Sequence, residues 1–320
     1  MIFWVAAALL AAGDERKTVD VVCPVDGHKF QAAEVRSNRW GGVDTDWCPH
    51  AIKTTPLELY VWVCPGCRFA GRKSDFEAPV PEEQRKALLA GLKPLAEFPK
   101  TARQEKIPGH VKYDLMAQTA RIRGQAAAEV GRAYLNASWS ARQQGAVYLD
   151  GFDEFDAMVR SYQLDQEPMK LGLSKNRTEF DLEVARKIEK DILAKRYPRG
   201  AQRLLAPYLA AYVFRKHGEN AEAERWLKEV DALKGENSVV DDAAARMRAS
   251  IVLERDFQRK AMAVYEPLGA SPDVAYLMGE LHRRAGDRAA AVEWYQKALG
   301  AGPSEPLKKL ATEQKAKAEK

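Results

Sequence analysis

The sequence predicts a mostly α fold with a small β unit at its N-terminus, on three observations. All four cysteines, Cys23, Cys48, Cys64 and Cys67, fall in the first quarter of the 320-residue chain. The segments around them, "TVDVV" (18–22) and "PLELYVWV" (56–63), carry the apolar, β-branched and aromatic residues of short strands. From about Tyr113 onward, apolar residues recur at helical spacing, and strand signals are few.

The chain begins "MIFWVAAALLAAGDERK". Residues 2–12 are apolar, small side chains follow, and a charged run comes next. This is the pattern of a secretory signal peptide over 1–13, well short of the about 20 residues that span a bilayer. The expectation is therefore export, periplasmic or secreted, with no transmembrane span in the mature chain. If the start is not a signal, the protein is cytoplasmic. Charged residues make up 30% and hydrophobic ones 46%, enough for a sizeable core in about two domains. The net charge of +5 is spread among acids, which argues against a nucleic-acid surface.

Residues 18–75 read as one small unit. Cys64-Pro65-Gly66-Cys67 has the Cys-x2-Cys spacing that presents two thiolates to zinc, and Cys23 sits in a related "CPVDGHKF" turn whose second cysteine is replaced by Asp26. A unit of this size buries too little apolar surface to stand alone, so a staple is expected. The zinc-ribbon-like layout makes Cys23, Cys48, Cys64 and Cys67 the candidate ligands of a structural zinc ion. Cys48 is preferred as the fourth because thiolate outranks carboxylate, with Asp26, His28 and His50 as substitutes. Export and an even cysteine count also permit two disulfides. A third reading is thiol-disulfide oxidoreductase chemistry by Cys64 and Cys67, although such a motif normally precedes a helix and "RFAGRKSDFEAPVP" is not a good one.

Residues 76–110 are proline-punctuated and read as a linker with one helix in "PEEQRKALLAGLKPL". Residues 111–312 form the helical domain. "RTEFDLEVARKIEKDILAKRY" (177–197) is a strong amphipathic helix. "AYLMGELHRRAGDRAAAVEWYQKALGAGP" (275–303) has the small and large residues of a tetratricopeptide repeat in order: Gly279, then the Gly286-Asp287 turn, then Ala291, Tyr295 and Ala298. "YLAAYVFRKHGENAEAERWLKEV" (208–230) is a weaker copy. Stacked helix pairs present a groove to a peptide or protein, and the groove-facing positions here are Tyr276, Glu280, Arg283 and Arg284. The lysine-rich 313–320 reads as a solvated tail.

No phosphate loop, His-Glu-x-x-His, Gly-x-Ser-x-Gly or dinucleotide fingerprint is present in the sequence. The functional expectation is a non-enzymatic binding or scaffolding module, the alternatives being the oxidoreductase and a nucleic-acid-binding zinc ribbon. The ordered set "CPVDGHKF", "DTDWCPH", "PLELYVWVCPGCRFAG" with "SDF", and "YLMGELHRRAGD" resembles the bacterial family called domain of unknown function 2225. The resemblance spans most of the chain. It implies a zinc-binding N-terminal unit and helical repeats, and no known activity. Asp26 and Arg68 stand where that family has cysteine and glycine.

Overall fold

The structure, a computed structural model, describes residues 16–35, 40–51, 56–92, 104–173, 175–269 and 271–319. The signal-like residues 1–13 lie outside them. Strands β1 (Arg16–Val22) and β2 (Lys29–Val35) form an antiparallel hairpin in which Val22 pairs with Lys29. β3 (Trp40–Val43) pairs with β4 (Pro49–Ala51), and β5 (Trp62–Val63) with β6 (Ala70–Gly71). Each is a two-stranded ribbon, and such ribbons are marginal without further packing.

Two sequence expectations change here. "PLELYVWV" is a strand only at Trp62–Val63, because Pro56–Leu59 is a 3-10 turn. The turn's carbonyls are satisfied from the helix at Gly109–Ile122 instead of a neighbouring strand: Tyr113 Oη donates to Leu57 O at 2.8 Å, and Lys112 Nζ to Glu58 O at 2.7 Å. "WGGVDTDWCPH" (40–50), which lies between the two expected strand segments and was not expected as strand, forms β3 and most of β4 on either side of a tight loop. In that loop Asp44 N donates to Cys48 O at 2.9 Å, and Trp47 takes φ +66°.

Helices α1 (Lys73–Glu77) and α2 (Glu82–Gly91) complete the N-terminal unit. Leu88 and Leu92 join Val21, Val25, Phe69 and Phe76 in its core, so the segment expected as linker packs as part of the unit.

The remainder is helical: α3 (Gly109–Ile122), α4 (Ala127–Gly145), α5 (Asp153–Ser161), α6 (Arg177–Leu193), α7 (Gln202–Lys216), α8 (Asn220–Asp231), α9 (Ser238–Tyr265), α10 (Pro272–Ala285), α11 (Arg288–Gly300) and α12 (Glu305–Ala318). Local chemistry sets their ends. Asn176 and Glu179 form a capping box at the start of α6, Ser271 caps α10 ahead of Pro272, and Gly286 ends α10 at φ +91°. Pairs α7–α8 and α10–α11 both turn at a left-handed glycine, Gly218 and Gly286. Gly279 lets α11 approach α10, since a Cβ there would lie 2.6 Å from the Tyr295 ring.

α9, at 28 residues, joins two apolar cores. Its first half packs Val240, Met247 and Ile251 with α5–α8, and its second half packs Phe257, Ala261 and Tyr265 with α3, α4 and α10. The lysine-rich end also differs from expectation. It continues α12 to Ala318, with Gln314 and Ala318 buried, because the helix lays an apolar stripe over Tyr276 and Tyr295. No helix among the described residues is long and apolar enough to cross a membrane.

Candidate metal centre

The turns after β1 and β5 are built alike. Cys23 N donates to His28 O and Gly27 N to Cys23 O, both at 2.9 Å; Cys64 N donates to Phe69 O and Arg68 N to Cys64 O, also at 2.9 Å. Each needs a left-handed residue at its fifth position, supplied by Gly27 (φ +73°) and Arg68 (φ +67°). Asp26 therefore occupies, in the first turn, the place that Cys67 holds in the second.

The two turns face each other. Donor atoms of Cys23, Asp26, Cys64 and Cys67 all lie within 4.8 Å of one another. Cys23 Sγ is 3.6 Å from Cys67 Sγ, and Cys64 Sγ is 3.4 Å from Asp26 Oδ1. That oxygen also accepts from His28 N at 3.0 Å, which fixes the carboxylate's orientation. Gly66 is required beside it, because any Cβ there would run into Asp26 Oδ2. Cys23 and Cys64 are buried, Cys67 is half-buried, and Asp26 closes the solvent side. All four cysteines of the chain are free thiols. The three sulfurs share hydrogen bonds: those from Cys23 and Cys67 pull the Cys64 thiol down, while the bond to Cys64 pushes Cys23 up, which leaves one thiolate held between two thiols. Cys67 is raised too, by its bonds to Cys23 and Cys64. Three sulfurs and a carboxylate oxygen converging in this way can hold a metal ion.

Cys48, the preferred fourth ligand in the sequence, is not at this centre. It lies with Asp44 and His50 in the β3–β4 loop, so neither Cys48 nor His50 joins the cluster; Asp26 does. The signal was present in the identical spacing of Cys23, Asp26 and Gly27 to Cys64, Cys67 and Arg68. Ranking ligands by softness overrode it.

The expected partner-binding residues are also placed differently. Tyr276, Glu280 and Arg284 are buried, and they hold the chain's own loop. Tyr276 Oη donates to Thr45 O at 2.7 Å, Thr45 Oγ1 to Glu280 Oε2 at 2.6 Å, and Arg284 Nη2 to Thr45 Oγ1 at 3.0 Å. Arg283 sits at the rim, paired with Glu219 at 3.0 Å. Around the loop runs a buried charge network that the sequence reading missed. Arg142, fully buried on α4, bonds Asp44 at 2.9 Å, Asp46 at 2.5 Å and Glu254 at 2.7 Å. Arg215 holds the other side of Glu254, and His217 spans Asp44 and Asp181. The available signal was charge inside apolar helix faces, such as Arg215 in "YLAAYVFRK".

No curated protein and no solved structure matches this chain. A family model does, over residues 17–251 and 231–318, described as uncharacterized proteins conserved in bacteria. With the match running from the first strand through the last helix, the chain belongs to the domain of unknown function 2225 family.

Proposed function

We propose that the protein is a non-enzymatic binding or scaffolding module in which a structural zinc ion staples the N-terminal unit onto a tetratricopeptide-like helical stack. The observation that carries this reading is the facing pair of like turns, with three sulfurs and one carboxylate oxygen within 4.8 Å. Thiolates select zinc over the hard cations, and four protein ligands leave no open position, which suits a structural ion. The unit's three small ribbons supply the need for a staple. The helix pairs α7–α8 and α10–α11, turning at Gly218 and Gly286, support the repeat reading.

The stack's inner face is filled by the Asp44–His50 loop, so a protein partner is directed to an outer cleft of about 860 Å³ between α6, α8, α10 and α12. Arg288 and Lys317 line it together with Leu182, Glu183 and an Arg186–Glu222 ion pair, a mixed lining suited to a peptide of both charges. The apolar start of the chain supports delivery outside the cytoplasm.

The test is zinc content with a free-thiol count on protein from its native compartment. The Cys64→Ser variant is expected to lose one equivalent of zinc and to melt at lower temperature. Unchanged zinc in that variant, or a zinc-free wild type with Cys23 and Cys67 oxidised to a disulfide, overturns the reading.

A further inference from the structure

Asp44, Cys48 and His50 form a second cluster of metal-ligating side chains, separate from the twin turns. One oxygen, one sulfur and one nitrogen lie within 4.8 Å of one another, and the three residues are 2%, 0% and 5% exposed. We propose that they bind a second divalent transition-metal ion, zinc by its donor chemistry, in the seam between the β3–β4 loop and helices α4 and α7.

The hydrogen-bond pattern carries the inference. His50 Nε2 is buried and makes no hydrogen bond among the described residues, although it lies only 2.8 Å from Asp44 Oδ1. A ring nitrogen that close to a carboxylate but not directed at it is costly, unless both lone pairs face a third atom. Nitrogen and oxygen ligands on one zinc ion, each about 2.0–2.2 Å from the metal, sit about 3 Å apart.

Cys48 gives an independent sign. Its sulfur faces a donor: Gln143 Nε2 lies 3.7 Å away, and that amide is oriented by its own 2.8 Å bond to Pro49 O. A sulfur that accepts from a fixed amide is held in place, as a ligand atom must be, whether it is thiol or thiolate. Surrounding groups also fix the carboxylate. Arg142 takes Asp44 Oδ2 at 2.9 Å, and His217 Nδ1 lies 2.9 Å from Oδ1 with its other nitrogen 3.0 Å from Asp181. Such outer partners orient ligands in metal sites and set their basicity.

A Cys-His-Asp set also suggests a nucleophile, but Cys48 is fully buried and a substrate carbonyl has no approach to its sulfur. An ion enters while the chain folds and needs no later path. Metal there would neutralise the Cys48 thiolate, the one ligand charge that Arg142, already paired with Asp44, does not meet.

The experiment measures zinc per chain by elemental analysis on the full-length protein, with folding followed by circular dichroism. Wild type is expected to hold two equivalents. Cys64→Ser keeps one, at the loop site, and His50→Ala keeps one, at the twin turns. A wild type with a single zinc that Cys64→Ser abolishes and His50→Ala leaves untouched refutes the second site while sparing the first. Should His50→Ala fail to fold, refolding the Cys23→Ser/Cys64→Ser/Cys67→Ser variant in the presence of cobalt decides: with Cys48 the one thiolate left, a thiolate-to-cobalt absorption at one equivalent supports the site, and no such band overturns it.

Discussion

Replacing Arg142 with methionine removes the cation from the centre of the charge network while keeping most of the side chain's volume. In the native protein its guanidinium, with no exposure, neutralises Asp44, Asp46 and Glu254 at 2.5–2.9 Å. Removing one partner of a buried ion pair costs about 3–5 kcal/mol, because the other charge stays buried without compensation. Here part of the compensation survives: Arg284 remains 3.4 Å from Asp46, Trp139 Nε1 donates to Asp46 at 3.1 Å, and Arg215 still holds Glu254. The lower end of that range is therefore expected, about 3 kcal/mol. In a chain of 320 residues that lowers the melting temperature by about 4–5 °C. Thermal unfolding followed by circular dichroism reads the shift. Adding Glu254→Gln to Arg142→Met should cost less than the two single changes together, by about 1–3 kcal/mol, since the two residues share one ion pair that either change alone already removes. A drop below about 2 °C, or a strictly additive double variant, refutes the reasoning.

Two further outcomes follow from packing and charge. Gly279→Ala puts a Cβ 2.6 Å from the Tyr295 ring and should cost about 1–3 kcal/mol in urea unfolding, whereas a loss under about 0.5 kcal/mol would mean that α10 and α11 are free to separate. Burial pushes Glu219 up, but Arg283 and Arg284 outweigh it and bring the carboxyl down to about 2. A carboxylate depressed from about 4.3 stabilises the fold above that value and loses its contribution as pH falls through about 2. Glu219→Gln should then cost about 2 kcal/mol at pH 7, the gap to wild type narrowing from about pH 4.5 downward. Guanidinium midpoints at pH 7, 4 and 3 check this, and a gap that does not change with pH contradicts it.

What could be read in advance was what depends on near neighbours. The amphipathic helix from Arg177 was legible from its 3.6-residue period; its exact ends, the Asn176–Glu179 capping box and the stop at Leu193 before left-handed Lys195, came from the structure. The α10–α11 pair was legible because Gly279, Gly286 and Tyr295 act within one hairpin. Asp26 was half legible: its spacing marked it, but which of several donors closes the cluster depends on how two hairpins meet. The loop from Asp44 to His50 was opaque. Its partners, Arg142, His217, Glu280 and Arg284, are supplied by helices far along the chain, and local pattern carries no trace of such pairings. The strand expected over "PLELYVWV" failed for the same reason, since Tyr113 and Lys112 take its carbonyls from outside the segment.

The seating of Thr45 against Glu280 and Arg284 bridges 235 and 239 residues of chain. At ribosomal speeds of about 5–20 residues per second, the loop waits roughly 12–50 s after its own synthesis before its last partners exist. During that interval Arg142, made about 5–20 s after the loop, is on hand for Asp44 and Asp46, but the α10 face against which Thr45 seats is still to be made. Assembly of this seam is therefore a late, whole-chain event. A chain truncated before α10 would leave the loop without its docking face, however well its hairpins had formed.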